Sequence, residues 1–247
     1  MAFKTKKSND SNWVSFSDIM TGLMVIFMFI AISYINEVQK REQEINVIIE
    51  DYKKVQQSLY VTLDSTFTNR FSKYNLVVNP DLSIQITDAS SLFPSQRYDQ
   101  KVELTMEFNK FLKEFTPLFY NVVLDPKYID NISEIRIEGH TGIREKSYEF
   151  DQEYYEKMLV LSQKRSNKVL NTMMHQPYYT NLSDQNKSRL RFITTSNGLA
   201  YGKALDQEGD FKFESGNDID RKKSMRVEFR IITNSQKVVE EWVKKTE

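Results

Sequence analysis

Cysteine is absent from these 247 residues, glycine occurs 7 times, histidine twice, and neither sign of charge is in surplus, with 34 Lys plus Arg against 34 Asp plus Glu. Without cysteine there is no disulfide, no thiolate nucleophile and no lipidated N-terminal cysteine, while an oxidising compartment stays open to the chain. Zero net charge removes the electrostatic basis for nonspecific nucleic-acid binding, which needs a basic surplus to displace counterions from phosphates. The two histidines, His140 and His175, form no HxxxH pair, so no metal site is expected. His140 is expected to close the end of a strand by hydrogen bonding. Scarce glycine leaves one stretch that invites a nucleotide, GLAYGKA at 198–204. It fails as a phosphate loop, because three residues rather than four separate Gly198 from Gly202 and Ala204 follows Lys203 where a hydroxyl is needed. No Ser-His-Asp set can be assembled, so neither an enzyme nor a cofactor is expected.

What the chain does have is one long apolar run. From Ile19 to Ile35 only Thr21, Gly22, Ser33 and Tyr34 interrupt it. With Trp13 and Phe16 ahead it is long enough to span a hydrocarbon core of about 30 Å. Lys4, Lys6 and Lys7 precede it, and Glu37, Glu42 and Glu44 offset Lys40 and Arg41 after it, so the positive-inside rule places residues 1–12 in the cytoplasm and the remainder across the membrane. Trp13 and Tyr34 fall near the two interfaces, where aromatic belts sit. Ala31-Ile32-Ser33 is a small-x-small triplet of the kind a signal peptidase reads, but the run exceeds the roughly 7–15 residues of a signal-peptide core and carries an acid. A retained span over residues 13–35 is the better reading.

The acid is Asp18. An ionised carboxylate within a bilayer costs roughly 2.5–3.5 kcal/mol even on insertion scales. One reading leaves it near the cytoplasmic interface, within reach of water. The other makes it an ion-carrying group in a protein-lined path, with Thr21 one turn along offering a hydroxyl; a lone helix cannot shelter it, so this reading requires a membrane partner.

Over residues 36–72 two apolar rows, Val38, Ile45, Tyr52, Leu59 and Ile48, Val55, Thr62, each repeat every seven residues. That is the spacing of a coiled-coil seam and predicts a helical stalk pairing with a second copy; the alternative is an amphipathic helix packed on the following domain. LVVNPDLSIQIT then reads as a β-hairpin around Asn79-Pro80-Asp81. Lys101 to Phe119 has helical spacing, SEIRIEGH alternates as a strand, YYEKMLVLSQKRSNKVLNTMM is a second long helix ended by Gln176-Pro177, and RLRFITT and MRVEFRII are two further strands. The expected class is α+β: one transmembrane helix, a helical stalk, and a domain with two helices packed on a mixed β-sheet.

Two resemblances follow from these residues. Trp13, Phe16, Ser17, Asp18, Met20, Thr21 and Leu23 resemble the W-x-x-x-F-S/A-D-x-M-T-x-L signature of the B subunits of ion-driven stators, the MotB-like proteins. Residues 75–233 resemble the OmpA-like peptidoglycan-binding domain, through Leu92-Phe93, IRIEGHT at 135–141, Leu161-Ser162 with Arg165, and Arg221 with Arg226, Val227 and Glu228. The short N-terminus and long stalk also resemble the B subunits of Zorya-type anti-phage systems. The resemblance implies an inner-membrane protein that anchors to peptidoglycan, works as a dimer inside five copies of a multi-span A subunit, and passes H⁺ or Na⁺ by Asp18 and Thr21. It implies a wall-binding site of Thr141, Gly142, Leu161, Arg165 and Arg226. The chain departs from the pattern at Gly142, where the family has an Asp, and at Lys157-Met158, where it has Tyr-Asn; Glu145, Glu149 and Asp151 are the candidate replacements for the missing acid. Residues 234–247 are expected to be a polar tail.

Overall fold

The computed structural model describes residues 10–87, 92–94, 98–142 and 151–234. Within them one unit ends at Tyr52 and a second, compact unit begins at Lys53. Helix α1, Asp10–Phe67, starts in the first and ends in the second. Its N-terminal part is the one described helix long and apolar enough to cross a membrane.

The compact unit is built on a five-stranded sheet in the order β1-β2-β5-β3-β4, formed by β1 (Leu76–Val78), β2 (Ser83–Thr87), β3 (Ile132–Gly139), β4 (Thr194–Gly198) and β5 (Arg226–Thr233). All pairs are antiparallel except β3 with β4. The β1–β2 hairpin turns where expected; Asp81 accepts from the Ser83 amide, and Leu82 takes a positive φ of 64°. The parallel pair needs a crossover, which α3 (Gln152–Met174) supplies by packing on both strands. Beside α3 lies α2 (Met106–Val123), whose Phe108, Phe111, Phe115 and Phe119 recur every three or four residues and so share one face. Their rings stack in sequence, with centroids 5.0 Å apart for Phe111–Phe115 and 5.2 Å for Phe115–Phe119, and Phe229 of β5 meets Phe115 at 4.8 Å.

Three expectations change. The seam rows do not run the length of 36–72: Leu59, Leu63 and Phe67 of α1 are buried in the domain core, Phe67 lying 4.9 Å from Phe115, and Thr62 hydrogen-bonds the Tyr128 hydroxyl at 2.8 Å. The last turns of α1 belong to the domain because they face its aromatic spine. The first domain helix begins at Met106, not Lys101: Thr105, with extended backbone, caps it by accepting from the Phe108 amide, and Val102 and Leu104 are buried two residues apart in the non-helical stretch before it. RLRFITT is mostly helix. Ser183 caps α5 (Asp184–Ile193), whose Leu190 and Ile193 are buried three residues apart, and only Thr194–Gly198 is strand. Three one-turn helices, α4 (Pro177–Thr180) before α5, α6 (Lys212–Ser215) after β4 and α7 (Arg221–Ser224) before β5, and two 3-10 turns, Ser72–Tyr74 and Ile129–Asn131, are also present.

Candidate functional site

Asp18 lies on α1 in a stretch, Phe16 to Ile35, where no large apolar side chain is less than 41% exposed. So continuous an apolar surface calls for lipid or a partner. The Thr21 hydroxyl donates to the Ser17 carbonyl at 2.9 Å, which satisfies its hydrogen and leaves its oxygen able to accept. Asp18 and Thr21 are three residues apart on one helix and therefore neighbours on its surface. Trp13 and Phe16 meet at 6.2 Å between rings, one turn toward the N-terminus.

The residues matched to wall binding gather around the C-terminal ends of β3 and β4, and glycine is the reason. Gly139 and Gly198 are register partners, and a Cβ at either would stand 2.4 Å from the backbone of α3. The helix can therefore cross directly over the strand ends. Ser162 accepts from the Ala200 amide, and the Gln163 amide group bonds both Gly198 N–H and the Ser196 carbonyl. These contacts fix the Leu-Ser segment of α3 and bring Arg165 against Phe93, its guanidinium carbon 4.9 Å from the ring centroid. Arg165 is 9% exposed, its Nε has no hydrogen-bond partner among the described residues, and burial alone pushes its pKa down to about 10.

The other matched positions have different surroundings. Leu161 and Thr141 are buried, and the Thr141 amide donates to the Ala200 carbonyl. At Gly142 a Cβ would meet Arg221 Cγ at 2.8 Å and Met225 Cγ at 2.9 Å, so the space of an acidic side chain is already held by two flexible stems. Asp151 caps α3 by accepting from the Tyr154 amide; Glu145 and Glu149 lie outside the described residues. Arg226 is 1% exposed and is engaged by Glu228 and the Lys203 carbonyl, which makes it part of the sheet rather than a surface group. Sequence reasoning passed over the aromatic cluster of Tyr154, Tyr155 and Tyr201 beside these strand ends, with ring separations of 5.8 and 5.3 Å. Its signal was present in GLAYGKA, whose tyrosine matters where its glycines fail as a phosphate loop.

Beneath the strand ends the sheet carries a buried ladder of charge. Glu138 and Glu228 are direct cross-strand partners, a destabilising pairing on its own. Arg226 Nε stands 3.1 Å from Glu228 Oε2, Arg230 pairs with its other oxygen, and Arg230 Nε lies 3.8 Å from Glu138. His140 does not close its strand through its ring: both ring nitrogens lack hydrogen-bond partners among the described residues, and Nε2 stands 3.5 and 3.7 Å from the two carboxylates. Its backbone amide does that work by donating to the Arg226 carbonyl. Burial pushes the imidazole below its ordinary value, with Arg226 adding to the effect and Glu138 and Glu228 opposing it. Glu138, His140 and Glu228 present ligand atoms within 4.8 Å of one another. A divalent cation there would have to displace a guanidinium and stand beside two fixed positive charges, so the cluster suits charge compensation within the fold.

Compared with known proteins, the chain is 28% identical over 239 residues to the Zorya protein ZorB of Escherichia coli (strain ATCC 8739), covering 94% of this chain and 92% of that one. The chain is a homologue of ZorB. Its alignment with ZorB runs through both the apolar helix and the mixed α+β domain. No family model matches the chain. Among solved structures, similar folds include a MotB-like protein from Desulfovibrio vulgaris (14% identity, 77% of this chain and 99% of that one, TM-score 0.42) and the periplasmic domain of Helicobacter pylori MotB (11%, 67% and 92%, 0.40). Another is the cell wall anchor of the type VI secretion system from Pseudomonas aeruginosa (15%, 70% and 97%, 0.40).

Proposed function

We propose that this chain is the B-type subunit of an ion-driven membrane stator of the Zorya kind, acting in defence against phage. In this reading α1 spans the inner membrane with its N-terminus in the cytoplasm, and Asp18 binds and releases the transported ion, H⁺ or Na⁺, with Thr21 as a neighbouring oxygen. A multi-span A-type subunit, in five copies by resemblance, shelters the acid, and two copies of this chain pair along the part of the seam from Val38 to Tyr52, outside the domain core. The domain grips peptidoglycan and holds the pair still while ions move past it. Each charge falling through 100 mV releases about 2.3 kcal/mol, enough to drive stepwise rotation against a fixed post.

The observation that carries the proposal is the pairing of one acid in an apolar, exposed helix with a buried Arg165 that has no ion-pair partner among the described residues. A passive tether between membrane and wall needs the second and has no use for the first. Wall binding is assigned to Arg165, whose guanidinium suits a carboxylate of the peptide stem in a bidentate fork. The stem amine has no counterpart at Gly142.

Replacing Asp18 by Asn keeps size and removes the charge. Expressed with its A-type partner, the Asp18→Asn variant is expected to insert and assemble as before and to lower phage protection to the level of a deletion. Full protection by a normally assembled variant would leave the tether as the better reading.

A further inference from the structure

Away from the strand ends, α2 and the C-terminal half of α3 enclose an open groove of about 810 Å³, closed at one end by α4. Its volume lies within the roughly 300–1,000 Å³ of small-ligand sites. Lys113 and Pro117 line it from α2, Lys168 and Thr172 from α3, and Gln176 and Tyr178 from the turn beyond. No Asp or Glu is among the lining residues. Lys113 has no ion-pair partner among the described residues, whereas Lys168 reaches out to Glu103 at 3.1 Å. The second, independent feature is Gln176. Its side chain is 7% exposed, it lines the groove, and its Nε2 has no hydrogen-bond partner among the described residues. A buried amide donor left unsatisfied costs about 1–3 kcal/mol, which a bound acceptor would recover.

The groove therefore offers a free cation, a buried donor, and apolar walls from Pro117, Pro177 and the Tyr178 ring. Arginine, whose planar fork is the usual bidentate partner of phosphate, is absent from the lining. Flat apolar faces beside amides and one free ammonium match a sugar ring that bears a carboxylate. Lys168 lies three residues from Arg165 on α3, and Thr172 seven, so the groove continues the stripe on which the guanidinium sits, at about 1.5 Å per residue.

We propose that this groove binds an acidic saccharide, and that in the cell it holds a stem-free stretch of the wall's glycan, whose sugar carboxylate is no longer tied up in the amide link to a stem, while Arg165 holds a peptide stem elsewhere on the wall. The second clause rests on the wall-binding reading above; the first does not. Lys113 supplies the charge and Gln176 the buried donor.

The test uses the full-length protein in detergent and two probes: intact peptidoglycan sacculi, and glycan strands freed of their peptide stems by amidase digestion. Binding of the stem-free strands is expected, with Lys113→Glu weakening it about tenfold or more, as for loss of one charge-assisted contact. Lys113→Arg should retain it, and Arg165→Ala should leave it unchanged while weakening retention on sacculi. Lys113 is exposed, so its replacement does not threaten the core; Gln176→Leu, which removes the donor and keeps the bulk, is the second variant and should also weaken strand binding. Retention on sacculi without binding of stem-free strands overturns the groove and leaves the stem grip standing. Strand binding that is indifferent to Lys113→Glu and Gln176→Leu overturns the groove as well. Strand binding without retention of sacculi overturns the stem grip and supports the groove, and binding of neither overturns both.

Discussion

A guanidinium held at 9% exposure against the Phe93 ring, with no counter-charge beside it among the described residues, is an unusual thing for a fold to keep. Desolvating it without a counter-charge disfavours the folded state, and the cation–π contact offsets about 0.5–2 kcal/mol of that. Arg165→Met keeps the length and drops the charge. Its stability should stay within about 1 kcal/mol of the parent or rise, because buried charges are often replaced by apolar groups at no loss. Retention on peptidoglycan should fall, and a variant that melts much lower while keeping its grip would mean that Arg165 is structural. His140 gives a pH test of the opposite end of the ladder. Its folded pKa is depressed by burial, so as pH falls the unfolded chain takes up the proton first. Its contribution is complete above the unfolded value of about 6.5 and is lost progressively as pH falls below it. The groups facing it are Glu138, Glu228 and Arg226, all held by the same sheet. Thermal melts between pH 7 and pH 5 should therefore slope downward, and His140→Gln should flatten that window; identical slopes would refute the assignment.

Between elements, the decisive contact is the crossing of α3 over β3 and β4. Gly198→Ala would place a methyl 2.4 Å from the Gln163 backbone nitrogen and 2.7 Å from its Cα, neither of which can swing aside. The expected loss is about 2–3 kcal/mol. In a chain of this size that corresponds to a melting temperature lower by about 5–10 °C. Gly142→Ala has its two tightest contacts with side-chain stems and meets backbone only at 3.4 Å, so it should cost less, and equal losses at the two positions would contradict the crossing geometry. The same crossing explains what the sequence made legible. β-Branched alternation in SEIRIEGH and MRVEFRII, and the three-four spacing of phenylalanines on α2, are local signals read directly as strand and helix. RLRFI is ambiguous by the same measure, since Leu190 and Ile193 suit either period, and the deciding feature was the Ser183 cap upstream. Neither the contact of Gly139 with α3 nor the stems that fill the space beside Gly142 leaves any local trace, because each joins residues far apart in the chain.

For the chain as a whole, pairing with a second copy is open to a clean measurement, because the absence of cysteine makes any introduced thiol the only one. The heptad rows divide at the boundary between the two units. Val38 is 44% exposed and can face a partner, whereas Leu59, in the same row, is 1% exposed within the domain core. A continuous two-helix seam over 36–72 is thus ruled out by burial, and a shorter one, from the exposed Val38 through the half-buried Ile45, Ile48 and Tyr52, is what remains outside the domain core. Val38→Cys and Ile45→Cys, each alone in the full chain in membranes, should give disulfide-linked dimers under mild oxidation. Leu59→Cys should not, since its thiol would be enclosed in the domain core. Glu42→Cys lies off the seam and serves as the control for random collision. If Glu42→Cys crosslinks as readily as Val38→Cys, or if no position does, the paired-helix arrangement fails. The ion-carrying role of Asp18 would then need shelter from the A-type subunit alone.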